Sequence, residues 1–173
     1  MALVTTSGSA TADSYYTLAE LNAYWSARGN TTWTGSDSVK EAAAIKATVW
    51  VDFTYRARFP GQRTEGRAQA VPQALEWPRR NAYDRENELI ASTVIPIEIK
   101  HAQAEAALRE LVTPGSLSPD YVASEQVKSE SVGPLSTEFF GGGGSSSVLP
   151  VVNIIDGILS SLIGGDVGFV MRA

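Results

Sequence analysis

The sequence predicts a mainly α-helical fold: a small helical bundle that carries a projecting β-hairpin and an extended C-terminal arm. Segments 17–28, 37–56 and 96–112 repeat apolar residues at the spacing of a helix that buries one face. Residues 127–140 alternate with period two around Gly133-Pro134, which is typical of a hairpin. Glycine and serine fill positions 141–147, so we expect a flexible linker there.

These patterns divide the chain into four parts. We expect a flexible N-terminal arm at 1–14, a helical domain at 15–140, the Gly/Ser linker at 141–147, and a C-terminal helix with a docking tail at 148–173. The 173 residues are 43% hydrophobic and 19% charged, which is ordinary for one globular domain. There is no cysteine, no apolar run long enough to span a membrane and no basic region of a signal peptide, so we expect assembly in a reducing cytoplasm without membrane contact.

The first two helices carry signals at both ends. Thr17 and Glu20 have the spacing of a capping box, in which each side chain accepts from the other residue's backbone N–H, and Gly29 ends that helix. Ser38 and Glu41 repeat the capping pattern, so the second helix should begin near 36–38 and end before Pro60. Its predicted apolar stripe consists of Val39, Ala42, Ala43, Lys46, Val49, Trp50 and Phe53.

The third and fourth helices follow later in the chain. Pro96 suits the first turn of a helix, and the alanines that follow it indicate close packing against another helix. A short fourth helix is predicted after Pro150, with apolar residues at helical spacing. Because a short isolated helix is only marginally stable, we expect this segment to leave its own core and dock on a partner. The candidate docking residues are Val151, Ile155, Ile158, Leu162, Phe169, Val170 and Arg172.

The sequence offers little for catalysis, and we expect no enzyme, no cofactor and no metal. His101 is the sole histidine, and a surface or packed histidine is the common role at such a position. Glu98 and Glu105 flank it at helical spacing, but such pairs are ordinary on solvated helix faces. The glycines at 141–144 lack the Lys-Ser/Thr ending of a phosphate-binding loop.

Positive charge concentrates in one irregular segment. The chain has a net charge of −5, yet residues 56–80 hold six arginines and two glutamates. Arginines among aromatic residues can hold single-stranded DNA or form a subunit interface. Trp77 and Pro78 are the predicted packing anchor of this loop. The six candidates for subunit or DNA contact are Arg56, Arg58, Arg63, Arg67, Arg79 and Arg80.

The order of several short motifs resembles a family of tailed-bacteriophage head-tail adaptor, or head-completion, proteins. Members are also described as DnaT-like single-stranded-DNA-binding proteins. The likeness covers most of 14–140. The motifs that carry it are Ser14 to Glu20, Tyr24 with Ala27 to Gly29, Phe59 to Arg63, Gln73 to Arg79, Ala82 to Asp84, Ile95 to Lys100, Ala102 to Leu111 and Val127 to Pro134.

The resemblance implies a structural role in the virion neck. It implies a homo-oligomeric ring, commonly a dodecamer, that binds the portal protein above and a neck, stopper or tail-terminator protein below. Double-stranded DNA would pass through the lumen without being read. Each phosphate that a protein neutralises raises its affinity for DNA. An acidic body neutralises few phosphates and would therefore let the DNA slide. The alternative is a replication accessory protein that binds single-stranded DNA without sequence preference.

Overall fold

The computed structural model describes residues 2–66, 69, 71–118, 129–132, 135–138 and 152–163. The chain forms two compact units, Met1–Leu117 with Val152–Ala173, and Ser118–Val151. The described residues form four helices and three two-stranded antiparallel sheets, which confirms the mainly α prediction. The helices are α1 (Leu18–Ala27), α2 (Asp37–Tyr55), α3 (Ile97–Val112) and α4 (Asn153–Leu159). None of these helices is long and apolar enough to cross a membrane.

The predicted start of α1 is confirmed. The Thr17 hydroxyl accepts from the Glu20 amide at 3.2 Å, and the Glu20 carboxylate accepts from the Thr17 amide at 2.7 Å. This capping box satisfies two backbone donors that the helix cannot pair itself.

The predicted capping box of α2 is wrong. Ser36 is the N-cap residue and makes no side-chain cap bond, while Ser38 lies inside the helix. The Ser36 hydroxyl lies 3.1 Å from the Ser38 hydroxyl instead. The N-cap therefore lies two residues before the one that the Ser38–Glu41 pattern indicated, within the predicted start at 36–38.

The buried face of α2 agrees with the predicted stripe at Ala43 and Trp50 and differs from it elsewhere. Val39, Val49 and Phe53 are 52%, 62% and 66% exposed. The residues that α2 buries are Ala43, Ala44, Ala47, Thr48, Trp50, Val51 and Tyr55. Small side chains predominate in this set because α2 packs against α3, whose buried residues are themselves largely alanine, and two alanine faces let the backbones approach closely.

The N-terminal segment is packed on the domain, which corrects the prediction of a flexible arm. Gln103 of α3 is fully buried, and its side-chain oxygen accepts from the amides of Tyr15 and Tyr16 at 3.1 and 2.9 Å. Its side-chain nitrogen donates to the Ser14 hydroxyl at 2.6 Å and to the Ala44 carbonyl at 3.3 Å. Because a buried amide must satisfy its hydrogen bonds, Gln103 fixes this segment between α2 and α3.

The earlier part of the arm is ordered too. The Val4 carbonyl accepts from the Asp13 amide at 2.9 Å, and the Val4 amide donates to the Asp13 carboxylate at 2.8 Å. The Ser9 carbonyl accepts from the Ala74 amide at 3.0 Å, which joins the arm to the irregular segment between α2 and α3.

Short strands organise that irregular segment. Strand β1 (Gln62–Arg63) pairs with β2 (Arg79–Arg80), and β3 (Ala82–Tyr83) pairs with β4 (Leu89–Ile90). Trp77 is 1% exposed, precedes a cis peptide to the buried Pro78, and packs edge-on against the ring of Phe59 at 5.8 Å. The Trp77–Pro78 pair thus lies in the core beneath these strands.

The second unit contains the predicted hairpin. Strands β5 (Ser129–Val132) and β6 (Leu135–Glu138) pair antiparallel, with Ser129 opposite Glu138 and Val132 opposite Leu135. The turn at 133–134, the linker at 141–147 and the tail at 164–173 lie outside the described residues.

The C-terminal helix α4 belongs to the core of the first unit, against the expectation that it leaves. Ile155 and Leu159 are fully buried and Leu162 is 5% exposed, while Ile158 packs half-buried against the core. The Tyr55 hydroxyl donates to Asp156 at 2.9 Å and ties α4 to the end of α2. Ile155 and Leu162 are therefore occupied by their own chain and not free to dock. Val151, Phe169, Val170 and Arg172 lie outside the described residues.

Candidate nucleic-acid interface

The six predicted arginines occupy different environments, and Arg79 is a structural one. It is 7% exposed, and its Nη1 lies 2.8 Å from the Glu76 carboxylate. Its Nε and Nη2 donate to the carbonyls of Pro60 and Gly61 at 2.7 and 2.9 Å. Since its donors are engaged inside the protein, this guanidinium holds the loop together and does not face a ligand.

Two more of the six are not used in the candidate surface. Arg63 is half-buried, and its Nη1 donates to the Gln73 carbonyl at 3.5 Å. Arg67 lies outside the described residues.

The other three arginines are exposed. The Arg56 guanidinium lies 5.1 Å from the centre of the Phe53 ring on the outer face of α2. That of Arg58 lies 5.6 Å from the Tyr55 ring and 3.6 Å from the Asp156 carboxylate, and its side chain is 45% exposed. The Arg80 guanidinium makes one long hydrogen bond, 3.4 Å, to Gln62. These weak surface contacts leave most of their donors to solvent.

A glycine turn brings the chain that follows Arg58 against the backbone of Arg80. Gly61 has φ of 67°, and a Cβ there would lie 2.4 Å from the Arg80 carbonyl oxygen and 2.7 Å from the Ala82 nitrogen. The backbones at 61 and 80–82 thus touch, and this close approach requires glycine. Arg58 is three residues before Gly61, so its Cα lies within about 11 Å of that contact.

Tyr83, three residues after Arg80, is an exposed aromatic residue that was missed by the sequence reasoning. Its side chain is 47% exposed, while the preceding strand residue Ala82 is fully buried. The signal was available, because residues that alternate along a strand point to opposite faces. Arg58, Arg80 and Tyr83 together are called the arginine face below.

An acidic turn borders this face. The Asp84 carboxylate accepts from the amides of Glu86 and Glu88 at 2.9 and 2.8 Å, which closes the turn between β3 and β4. Three carboxylates beside Tyr83 weaken the attraction that the arginines exert on an anion.

A buried polar network supports the loop from below. The Tyr15 hydroxyl donates to Asp52 Oδ1 at 2.5 Å and accepts from the Trp77 amide at 3.3 Å, while Asp52 Oδ2 accepts from the Glu76 amide at 2.9 Å. Burial raises the pKa of Asp52 to about 6, against the lowering effect of these hydrogen bonds. Burial and the neighbouring Asp52 raise the pKa of Tyr15 well above its ordinary value.

His101 has no catalytic surroundings in the described structure. Its ring lies 5.0 Å from that of Tyr24 and 6.5 Å from that of Tyr16, and burial together with Arg28 lowers its pKa. Among the described residues, no group of three or more histidine, aspartate or glutamate side chains could hold a metal ion.

The comparisons with known proteins give one match. The model of a family described as "Putative DnaT-like ssDNA binding protein" matches residues 1–173. No curated protein and no solved structure matches the chain. The match agrees with the single-stranded-DNA name that the sequence motifs suggested, and it leaves the ring-forming adaptor as a prediction.

Proposed function

Because the chain belongs to this DnaT-like family, we propose that it binds single-stranded DNA without sequence preference, through the arginine face. The observation that carries the proposal is the close approach of the Gly61 and Arg80 backbones, with three exposed side chains, those of Arg58, Arg80 and Tyr83, near it in the chain. Guanidinium groups pair with phosphates whatever the base, and every base can stack on an aromatic ring.

The charges set the expected strength of binding. Few phosphates would be neutralised by two arginines, and the chain as a whole carries a net charge of −5. Each phosphate contact contributes a slope of about −0.7 to the dependence of log affinity on log salt for single strands. We therefore expect weak binding with a slope between about −1 and −2.

The experiment is fluorescence anisotropy with labelled oligo(dT) and a mixed-sequence strand, between about 50 and about 200 mM salt. The Arg58→Ala/Arg80→Ala variant should weaken binding to both strands alike and remove most of the salt slope. Tyr83→Ala should weaken binding by about 1–3 kcal/mol with the slope unchanged, since stacking is not ionic.

The matched control is Arg109→Ala, which removes an exposed arginine from α3, outside the arginine face. Equal losses in this control and in the double variant would contradict the proposal, as would wild-type binding in the double variant. Arg79→Ala is unsuitable as a test, because it would leave Glu76 and the carbonyls of Pro60 and Gly61 without their partner and so disturb the loop itself.

We propose the head-tail adaptor as the second candidate, supported by the acidic net charge and by the hairpin β5–β6, which belongs to a compact unit of its own. It would form a ring, commonly a dodecamer, in the virion neck, with the portal, a tail-side neck or terminator protein, and lumenal DNA as partners. Mass photometry with and without portal protein tests it. A closed ring of about a dozen subunits that does not bind single-stranded DNA would favour this candidate over the first.

A further inference from the structure

The outer face of α2 carries an unusual line of exposed apolar residues. Val39, Val49 and Phe53 are each more than half exposed, and Ala42 and Lys46 between them are exposed as well. With Arg56, these positions follow one another at alternating spacings of three and four, the heptad spacing of a helix–helix seam. The six residues, called the α2 seam below, are Val39, Ala42, Lys46, Val49, Phe53 and Arg56.

The seam is turned away from its own core. The opposite face of α2 buries Ala44, Ala47 and Val51 fully, in the packing against α3 and the rest of the first unit. Single exposed apolar residues are normal on a protein surface, but aligned ones mark interaction sites. A line that follows one helix is best matched by another helix.

We propose that a second copy of this chain packs its own α2 antiparallel on this seam. In an antiparallel pair, each first heptad position meets a fourth position of the other helix. The register that aligns the whole seam then contains three kinds of facing pair, and each pair occurs twice in the dimer. Val39 faces Arg56 of the second copy, Ala42 faces its Phe53, and Lys46 faces its Val49.

Side-chain size fits this register. The largest side chain, Phe53, lies opposite the smallest, Ala42, so the two backbones can approach evenly. The Lys46 ammonium is held at 2.8 Å by Glu110 of its own chain, which turns the charge away and leaves the methylene stem to cover the Val49 of the second copy.

Charge selects the antiparallel orientation. Asp37 lies at the N-terminal end of α2, and Arg56 caps its C-terminal end. Antiparallel packing brings Arg56 within one helical turn of Asp37 of the second copy. Parallel packing would instead place Lys46 on Lys46 and Arg56 on Arg56, which like-charge repulsion disfavours.

The first test is sedimentation velocity over a concentration series of the full chain. The wild type should form a reversible dimer, and Val49→Glu should weaken dimerisation at least about tenfold, because a charge would be buried at the seam. Thr54→Glu is the matched control: it adds the same charge to an exposed position of α2 outside the seam and should leave the dimer intact. Circular dichroism checks that both variants are folded.

Disulfide trapping tests the register, since the chain contains no cysteine. Ala42→Cys protein mixed with Phe53→Cys protein should yield a cross-linked pair of one chain of each kind. Val39→Cys alone should not cross-link. A monomer at every concentration, an assembly that survives Val49→Glu, or efficient cross-linking of Val39→Cys with itself would each overturn the proposal. These outcomes are independent of DNA binding, because Arg58, Arg80 and Tyr83 lie outside the seam.

Discussion

Helices α2 and α4 each carry an apolar stripe, and the structure uses the two in opposite ways. The stripe expected to face the core, along Val39, Val49 and Phe53 of α2, is exposed. The stripe expected to leave for a partner, with Ile155 and Leu162, is buried. Apolar periodicity therefore shows that a helix has an apolar face, but it does not show what covers that face.

The difference lies in the size of the side chains. The core face of α2 is built around Ala43, Ala44 and Ala47, because the facing helix α3 is also rich in alanine. Close contact between backbones leaves no room for larger residues there. Helix α4 instead buries the large branched side chains of Ile155 and Leu159 in the core.

The largest expected effect separates the two stripes directly. Ile155→Ala should lower the free energy of unfolding by about 2–5 kcal/mol, because it empties a fully buried site. Val49→Ala, on the exposed stripe, should change it by no more than about 0.5 kcal/mol. Urea unfolding at low protein concentration measures both. Similar losses in the two variants would contradict the assignment of the faces.

A smaller effect comes from adding volume to α2. Ala47→Leu should cost about 1–3 kcal/mol, because Ala47 is fully buried in tightly packed surroundings. Ala42→Leu adds the same volume on the exposed face and should be nearly neutral. Thermal unfolding measures the stability of both variants. Equal stability would contradict the close packing of α2 against α3.

Asp52 of α2 makes the free energy of unfolding depend on pH. Its folded pKa of about 6 lies above the ordinary 3.8, so the folded state binds more protons between these values. The contribution of Asp52 to stability is thus fully present below about pH 4 and is lost as the pH rises through about 6. The difference between the two pKa values corresponds to a loss of about 3 kcal/mol. Asp52→Asn should flatten this part of the stability profile, and an unchanged profile would show that another group is responsible.

The smallest effect concerns the ion pair between Lys46 of the exposed stripe and Glu110 of α3. Glu110 is 5% exposed and pairs with Lys46 at 2.8 Å, while the lysine side chain is 63% exposed. Lys46→Met should cost about 0.5–1 kcal/mol, since solvent screens the pair. Lys46→Arg should retain most of this stability, and high salt should reduce the gap between the two variants.

Local signals predicted the helices well. Thr17 with Glu20 marked the start of α1, and periodicity gave the type and approximate bounds of the other helices. Long-range contacts could not be predicted in this way. The arm at 1–14 seemed free because the residue that fixes it, Gln103, is 88 positions beyond Tyr15.

The arginine-rich segment at 56–80 gives a second case in which the sequence alone did not show which side chains are buried. Arg79 and Arg80 are neighbours of identical chemistry, and the sequence alone assigned both to an interface. Strand alternation turns Arg79 inward onto Glu76 and leaves Arg80 outside. Two of the three residues of the arginine face were predicted, and the third, Tyr83, was missed although it follows Ala82 in an alternating strand pattern.

The side-chain amide of Gln103 also couples the opening of the N-terminal segment to the opening of helices α2 and α3. Tyr15 and Tyr16 lie outside any helix, yet their backbone N–H groups are bonded to a side chain in the middle of α3. They can be released only when the α2–α3 packing opens. In a hydrogen-exchange experiment these two amides should therefore exchange as slowly as the core of α3, so that the N-terminal segment and the helix pair open together as one cooperative unit.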